Sequence, residues 1–274
     1  MARFLVVASV NADRIWRLDE KLRPGGRHFA GDVALQIGGA GWFSASALRA
    51  AGHEVTLACV LGEDATGAAL RRRLDGIGVD LAFARRMPRT EPCDILVDPD
   101  GERTLIFTRS PESRVPPTPP QGGNFDGAYV NTASAVDILG AVRAGAPILL
   151  QMPLRDRIGR YPATHAVVSR SDVRDPAPAL WTRAVEVTSG LAQGLIVTNG
   201  PDLLLVITAA VQTAIAAGPS APEGRITIGA GDTFAGRLLA GLAGGSAPAD
   251  AAAAAAQAAS RWLAYRPEPR ALEP

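Results

Sequence analysis

The chain has one lysine, Lys21, among 28 basic residues, and that scarcity removes several chemistries. A GxxxxGK[ST] loop needs a lysine on the nucleotide phosphates, and a Schiff-base enzyme needs one in a core segment. Lys21 stands in neither setting. Cysteine is nearly as rare: Cys59 and Cys93 lie in separate apolar, strand-like runs, which predicts buried thiols rather than a disulfide or a metal pair. His28, His53 and His165 are scattered, so the sequence suggests neither a zinc site nor a Cys/His nucleophile system. Apolar runs of membrane-spanning length are lacking. The opening MARFLVVASV is followed at once by Asn11, Asp13 and Arg14, unlike a signal peptide, so a cytoplasmic protein with no membrane partner is expected. A net charge of +1 with both signs dispersed leaves no electrostatic footprint for nucleic acid.

What is present is apolar bulk and alternation. With 274 residues and 47% hydrophobic content the chain can bury a full core. Phe4 to Val10, Glu54 to Val60, Ala128 to Val130, Ile148 to Leu150, His165 to Val168 and Leu195 to Thr198 are runs suited to parallel strands buried on both faces. Several end in polar residues, among them Asn131, Gln151, Ser169 and Asn199-Gly200. Helix-length stretches lie between them, including Trp42 to Ala51, the stretch after Gly67 through Leu74, Ser134 to Arg143 and Pro178 to Ser189, and Ala251 to Tyr265 closes the chain. This repetition predicts an α/β fold with a mostly parallel sheet and helices on both faces. Segments 14–36 and 91–110 lack the helical period, and the second reads as a hairpin around Asp98-Pro99-Asp100-Gly101. Together they predict a small β-sheet lid that excludes water from a reaction centre. Pro111 to Gly123 reads as a linker, and Leu203 to Ala216 as a late hairpin.

The most informative stretch is Gly229-Ala230-Gly231-Asp232-Thr233-Phe234-Ala235-Gly236, a glycine-rich turn feeding an apolar helix. Such a turn lets a ligand approach the backbone, and the unpaired amides of the first helical turn attract an anion. Asp232 is either a helix N-cap or a general base beside a bound phosphate. GAGDTFAG at this point of the chain resembles the C-terminal signature of the ribokinase-like (PfkB-type) carbohydrate kinase family. The order Val60-Leu61-Gly62-Glu63-Asp64, Gly67, then Gly78-Val79-Asp80 is similar to that family's N-terminal half. The resemblance implies one ribokinase-like three-layer α/β/α domain over residues 1–274 with the lid inserted in it. It further implies transfer of the γ-phosphoryl group of ATP, with Mg²⁺, to an alcohol of a sugar or nucleoside.

By the same resemblance Asp232 is the base, and the amides of Gly229, Ala230, Gly231 and Asp232 form the anion hole. Asn11, Asp13, Gly38, Gly39 and Arg155 would hold the acceptor, and Thr198, Asn199 and Gly200 the nucleotide. Other motifs are worn. Gln151-Met152-Pro153-Leu154-Arg155 stands where relatives have Asp-x-Asn-x-Arg, and Ser169-Arg170-Ser171-Asp172 where they have Asn-x-x-Glu, leaving Asp172 as an indirect metal ligand through water. Ile226 replaces an aspartate linked with a monovalent cation, and Phe43 replaces an asparagine beside the acceptor. Phe43 either stacks on a planar acceptor such as a nucleoside or fills core. A homodimer formed through the lid is also expected. A non-catalytic ligand-binding relative is the alternative function, whereas a dinucleotide oxidoreductase would need GxGxxG where Asn11-Ala12-Asp13 stands.

Overall fold

Strands that are apolar along their whole length need cover on both faces, and this requirement organises the molecule. The computed structural model describes residues 1–108, 110, 117–132, 137–152, 161–219, 227–266 and 271–272. The strands are β1 (Arg3–Ala8), β2 (Asn11–Leu18), β3 (Ala30–Gly38), β4 (Glu54–Ala58), β5 (Val60–Gly62), β6 (Arg85–Met87) and β7 (Pro92–Val97). They continue as β8 (Arg103–Phe107), β9 (Gly127–Asn131), β10 (Ile148–Gln151), β11 (His165–Ser169), β12 (Gly194–Thr198), β13 (Leu204–Ile207) and β14 (Gln212–Ile215). The helices are α1 (Ala40–Ala50), α2 (Ala65–Gly76), α3 (Ala177–Val187), α4 (Ala230–Ala243) and α5 (Pro248–Tyr265).

The main sheet runs β14-β13-β12-β11-β10-β9-β1-β4. From β4 to β12 every pairing is parallel, and the β13–β14 hairpin closes one edge antiparallel. Alternate side chains feed separate cores. Phe4, Val6, Leu57, Tyr129, Leu149, Val167 and Ile196 pack with the alanine-rich faces of α4 and α5 and with Leu48 of α1. On the other face, Leu5, Val7, Val130 and Leu150 form a second cluster, while Val168 and Val197 pack with Leu180 and Ala184 of α3. Parallel pairing sends the polar strand ends Asn131, Gln151, Ser169 and Thr198 to one edge of the sheet, where open α/β sheets collect ligands.

A separate four-stranded sheet, β3-β2-β7-β8, hereafter the lid, is built from the segments read as one, and it starts earlier than the sequence suggested. Asn11-Ala12-Asp13 belongs to this second sheet rather than to the strand before it. β1 stops at Ala8, and Asn11 already pairs with Gly38 as the first residue of β2. The helix expected over 134–143 is reduced to a 3₁₀ turn at Leu139–Ala141, with residues 133–136 outside the described set. Gly140 within this stretch disfavours a longer helix. Among the described residues, no helix is long and apolar enough to cross a membrane.

His165 is buried in β11 beside Gly194, and desolvation lowers its pKa to about 4. The folded state therefore binds a proton less readily than the unfolded chain, and His165 costs stability as the pH falls from 6.5 towards 4. Replacing it with glutamine should remove up to about 3 kcal/mol of acid destabilisation. Urea midpoints of wild type and His165→Gln, compared at pH 7.5 and 5, check this: the gap between the two proteins should shift in the variant's favour at pH 5.

Candidate active site

The GAGD turn meets α4 through Gly229, whose φ of 84° is left-handed and whose Cα faces the ring of Phe43. A Cβ on Gly229 would overlap that ring, so backbone conformation and packing both require glycine here. Phe43 is buried. Its ring meets Trp262 edge-on at 5.8 Å and packs with Ile15, Ile95, Cys93 and Ile228. The ring therefore fills core beneath the turn and offers no stacking face to an acceptor. From the other side, Arg266 lies over the Trp262 ring at 4.8 Å and donates from Nη1 to the Ile228 carbonyl at 2.9 Å. The turn is thus held by α1, the end of α5 and the inner side of the lid.

Above this support, α4 begins without a side-chain cap. The Ala230 amide is occupied by the Thr227 carbonyl and that of Thr233 by Gly229, leaving the amides of Gly231 and Asp232 without an acceptor among the described residues. The uncapped amides at the start of this 14-residue helix carry partial positive charge and point outward, the geometry that suits an anion. The Asp232 side chain does not cap this helix, so the N-cap reading falls away.

Instead, the Asp232 carboxylate turns to β9. Tyr129 donates its hydroxyl to Oδ1 at 3.0 Å, and Asn131 Nδ2 lies 3.4 Å from the same oxygen and 3.2 Å from the tyrosine oxygen. Burial pushes the Asp232 pKa up to about 6, while the bonds from Tyr129 and Asn131 hold it down. The reading of the sequence missed these partners. The signal was there: Tyr129 is a polar-tipped residue in an otherwise aliphatic buried strand, and a buried tyrosine hydroxyl needs a partner.

Asp13 is the second unusual carboxylate. It is almost wholly buried, its Oδ1 has no hydrogen-bond partner, and desolvation raises its pKa to about 7. A Cβ on Gly38 would coincide with this carboxylate, and one on Gly39 would strike the Ser9 carbonyl. Contacts within the chain thus already require both glycines. The remaining expected residues are spread along the same sheet edge. Thr198 ends β12 opposite Ser169, and its Oγ1 donates to the Val168 carbonyl. Asn199 bonds Asp202, and Gly200 is exposed with φ 56°. Asp172 closes the 3₁₀ turn after β11; partial desolvation raises its pKa and Arg103 of the lid opposes this. Asn11 begins β2. Arg155 and Ile226 lie outside the described residues.

The comparisons agree with this architecture. The family model for pfkB family carbohydrate kinases matches residues 1–158, more than half of the chain, so the chain belongs to the pfkB family of carbohydrate kinases. The match stops short of the GAGD turn. Among solved structures, a ribokinase from Cryptococcus neoformans in complex with ADP superposes with a TM-score of 0.73 at 21% identity, over 97% of this chain and 95% of that one. A nucleoside kinase from Burkholderia thailandensis in complex with inosine gives 0.74 at 21%, over 96% and 91%. An Arabidopsis thaliana ribokinase complexed with ribose and ATP gives 0.72 at 18%, over 97% and 94%. These likenesses establish the ribokinase fold. No curated protein matches the chain.

An isolated carboxylate buried without a partner is a cost to the fold, tolerated where it binds something. Because the folded pKa of Asp13 is raised to about 7, its contribution to stability falls as the pH rises from 3.8 through 7. Asp13→Asn should accordingly melt several degrees above wild type at pH 8 and gain much less at pH 5, by differential scanning calorimetry of the ligand-free protein.

Proposed function

We propose that this chain is an ATP-dependent kinase that phosphorylates an alcohol of a sugar or nucleoside, with Asp232 as general base. One observation carries the reading: a desolvated carboxylate, poised near pH 6, stands in the first turn of a helix whose leading amides are unpaired. Proton acceptor and anion site are then a residue apart, as phosphoryl transfer to a hydroxyl requires. The ADP, ATP, inosine and ribose bound to the fold neighbours support the same substrate classes.

In this reading the Gly231 and Asp232 amides, with that of Gly229 in the same turn, receive the transferring phosphoryl group, while the Ala230 amide, expected there as well, is engaged by the Thr227 carbonyl. Thr198, Asn199 and Gly200 border the nucleotide at the end of β12. Asp13 accepts from acceptor hydroxyls, supported by Asn11, Gly38 and Gly39 around it and by Arg155. The described residues contain no cluster of three or more His, Cys, Asp or Glu side chains, so an all-protein metal cage is not part of the reading. One carboxylate, Asp172, together with nucleotide phosphates is a donor set that suits Mg²⁺. Bound there, Mg²⁺ would neutralise charge on the phosphates. The chain acts as one domain, 1–274, whose lid excludes water from the transfer.

The lid also bears on the acceptor. Phe107 pairs with Cys93, and Cys93 with Asp13, so Phe107 and Leu105 share the Asp13 face yet remain half-exposed. An acceptor with an apolar or planar portion would cover them. An ADP-release screen with ATP and Mg²⁺ across ribose, fructose and nucleosides should find turnover, with nucleosides ahead in kcat/KM. Asp232→Asn should lose roughly 10²-fold or more while still binding ATP. In the wild type, kcat/KM should decline as the pH falls below 7 and fall steeply below 6, where the base is protonated. Near-normal turnover in Asp232→Asn would overturn the base assignment, and nucleotide binding with no turnover on any acceptor would favour the non-catalytic ligand-binding alternative.

The opposite face of the lid carries Val33 beside Trp16 and Leu96, and Ile106 beside the Arg14–Asp94 ion pair; Val33 and Ile106 are both about half-exposed, so the face is apolar apart from that pair. We propose that a second copy of the chain covers this apolar face as a homodimer. Light scattering should give twice the 28.4 kDa chain mass for wild type and the single mass for Ile106→Lys; a monomeric wild type at micromolar concentration would refute it.

A further inference from the structure

Tyr129 has no exposed surface and sits on the sheet face beneath α4, where a phenylalanine would pack as well. Its hydroxyl is held between two polar groups. Asn131 Nδ2 donates to the tyrosine oxygen at 3.2 Å, which directs the tyrosine proton to Oδ1 of Asp232 at 3.0 Å. Asn131 Nδ2 also lies 3.4 Å from Oδ1, so both donors converge on one carboxylate oxygen. Among the described residues, no donor reaches Oδ2. We propose that Tyr129 and Asn131 are positioning residues that clamp Oδ1 of Asp232 and thereby present Oδ2 to the acceptor hydroxyl.

This rests on the kinase reading above and adds to it which oxygen reacts and what holds it. The acceptor O–H gives its proton to Oδ2 as its oxygen bonds the γ-phosphorus of ATP. The bond from that phosphorus to the bridging oxygen breaks, and its electron pair leaves with ADP. A carboxylate that accepts two hydrogen bonds on the far oxygen cannot rotate without breaking both, so the reactive oxygen is fixed before substrate arrives. The clamp also sets the charge state. Burial favours the neutral acid, and the two donors favour the carboxylate, which keeps the base ionised near neutral pH. Burial, and next the charge of Asp232, hold the Tyr129 hydroxyl itself far above its ordinary value, so it remains a donor throughout.

Several ionisable residues lie on α4 and on the elements packed against it: Arg237 on α4, Arg49 on α1, Asp250, Arg261 and Tyr265 on α5, and Tyr129 on β9. Of these, Tyr129 is the one that acts on the Asp232 carboxyl among the described residues, and Asp13 of the lid does not.

Carboxyl ¹³C NMR titration of the ligand-free protein tests the clamp without any acceptor. Asp232→Asn assigns the Asp232 signal, and the Asp13 signal, assigned with Asp13→Asn, reports that each variant remains folded. Tyr129→Phe should move the Asp232 midpoint up by about one pH unit, tenfold in its ionisation constant, and leave that of Asp13 in place. Asn131→Ala, at a partly exposed strand end, should move it the same way by less. An Asp232 midpoint unmoved in both variants, or moved down, overturns the proposal even if Asp232→Asn abolishes ADP release. Conversely, a shifted midpoint with ADP release retained in Asp232→Asn would keep the clamp and overturn the kinase base. A structural role alone would lower the melting temperature of Tyr129→Phe and leave the midpoint where it was.

Discussion

The contact between Gly229 and the ring of Phe43 is the constraint on which the site depends. A left-handed residue with no Cβ lets the chain lie directly on an aromatic face, and that places the start of α4 at a fixed height above α1. Trp262 braces the ring from the side, and Arg266 ties the Ile228 carbonyl to the end of α5. The uncapped amides and Asp232 then take their positions from rigid neighbours rather than from a free loop, as preorganisation of an anion site demands. Ile15 and Ile95 of the lid join the same cluster, so lid and turn share one small core.

Two carboxylates are desolvated in this chain for different reasons. Asp232 is partnered by Tyr129 and Asn131 and titrates near 6, which suits a group that must take and return a proton. Asp13 has an unpartnered buried oxygen and titrates near 7, which suits a group that gains its partners only when a polyol arrives. The fold tolerates the desolvation cost of both because the main sheet has an apolar core on each face.

The architecture was legible because its signals are local. Apolar runs of strand length, separated by helix-length segments and ending in polar residues, predicted the parallel sheet and the edge that gathers its polar strand ends. The GAGD turn pointed to the candidate anion site, but whether Asp232 capped the helix could not be read from it. What stayed hidden depends on side chains far apart in sequence. Tyr129 and Asp232 are 103 residues apart and meet only when β9 runs beneath α4. The role of Phe43 could not be read from its neighbours, since stacking on a ligand and filling core demand the same residue. Its contact with Gly229 decides for core. The start of β2 at Asn11 was obscured because Val10 follows β1 after a single small residue, Ser9, and the break comes from lid pairing between Asn11 and Gly38.

The central claim is that one turn supplies both the anion site and the base. Its most direct test is a crystal structure with ADP, Mg²⁺, aluminium fluoride and whichever acceptor supports ADP release. The account predicts the fluoride complex on the amides of Gly231 and Asp232, with an acceptor hydroxyl within hydrogen-bond distance of Asp232 Oδ2. A fluoride complex bound elsewhere, or an acceptor hydroxyl directed to a different side chain, would contradict it.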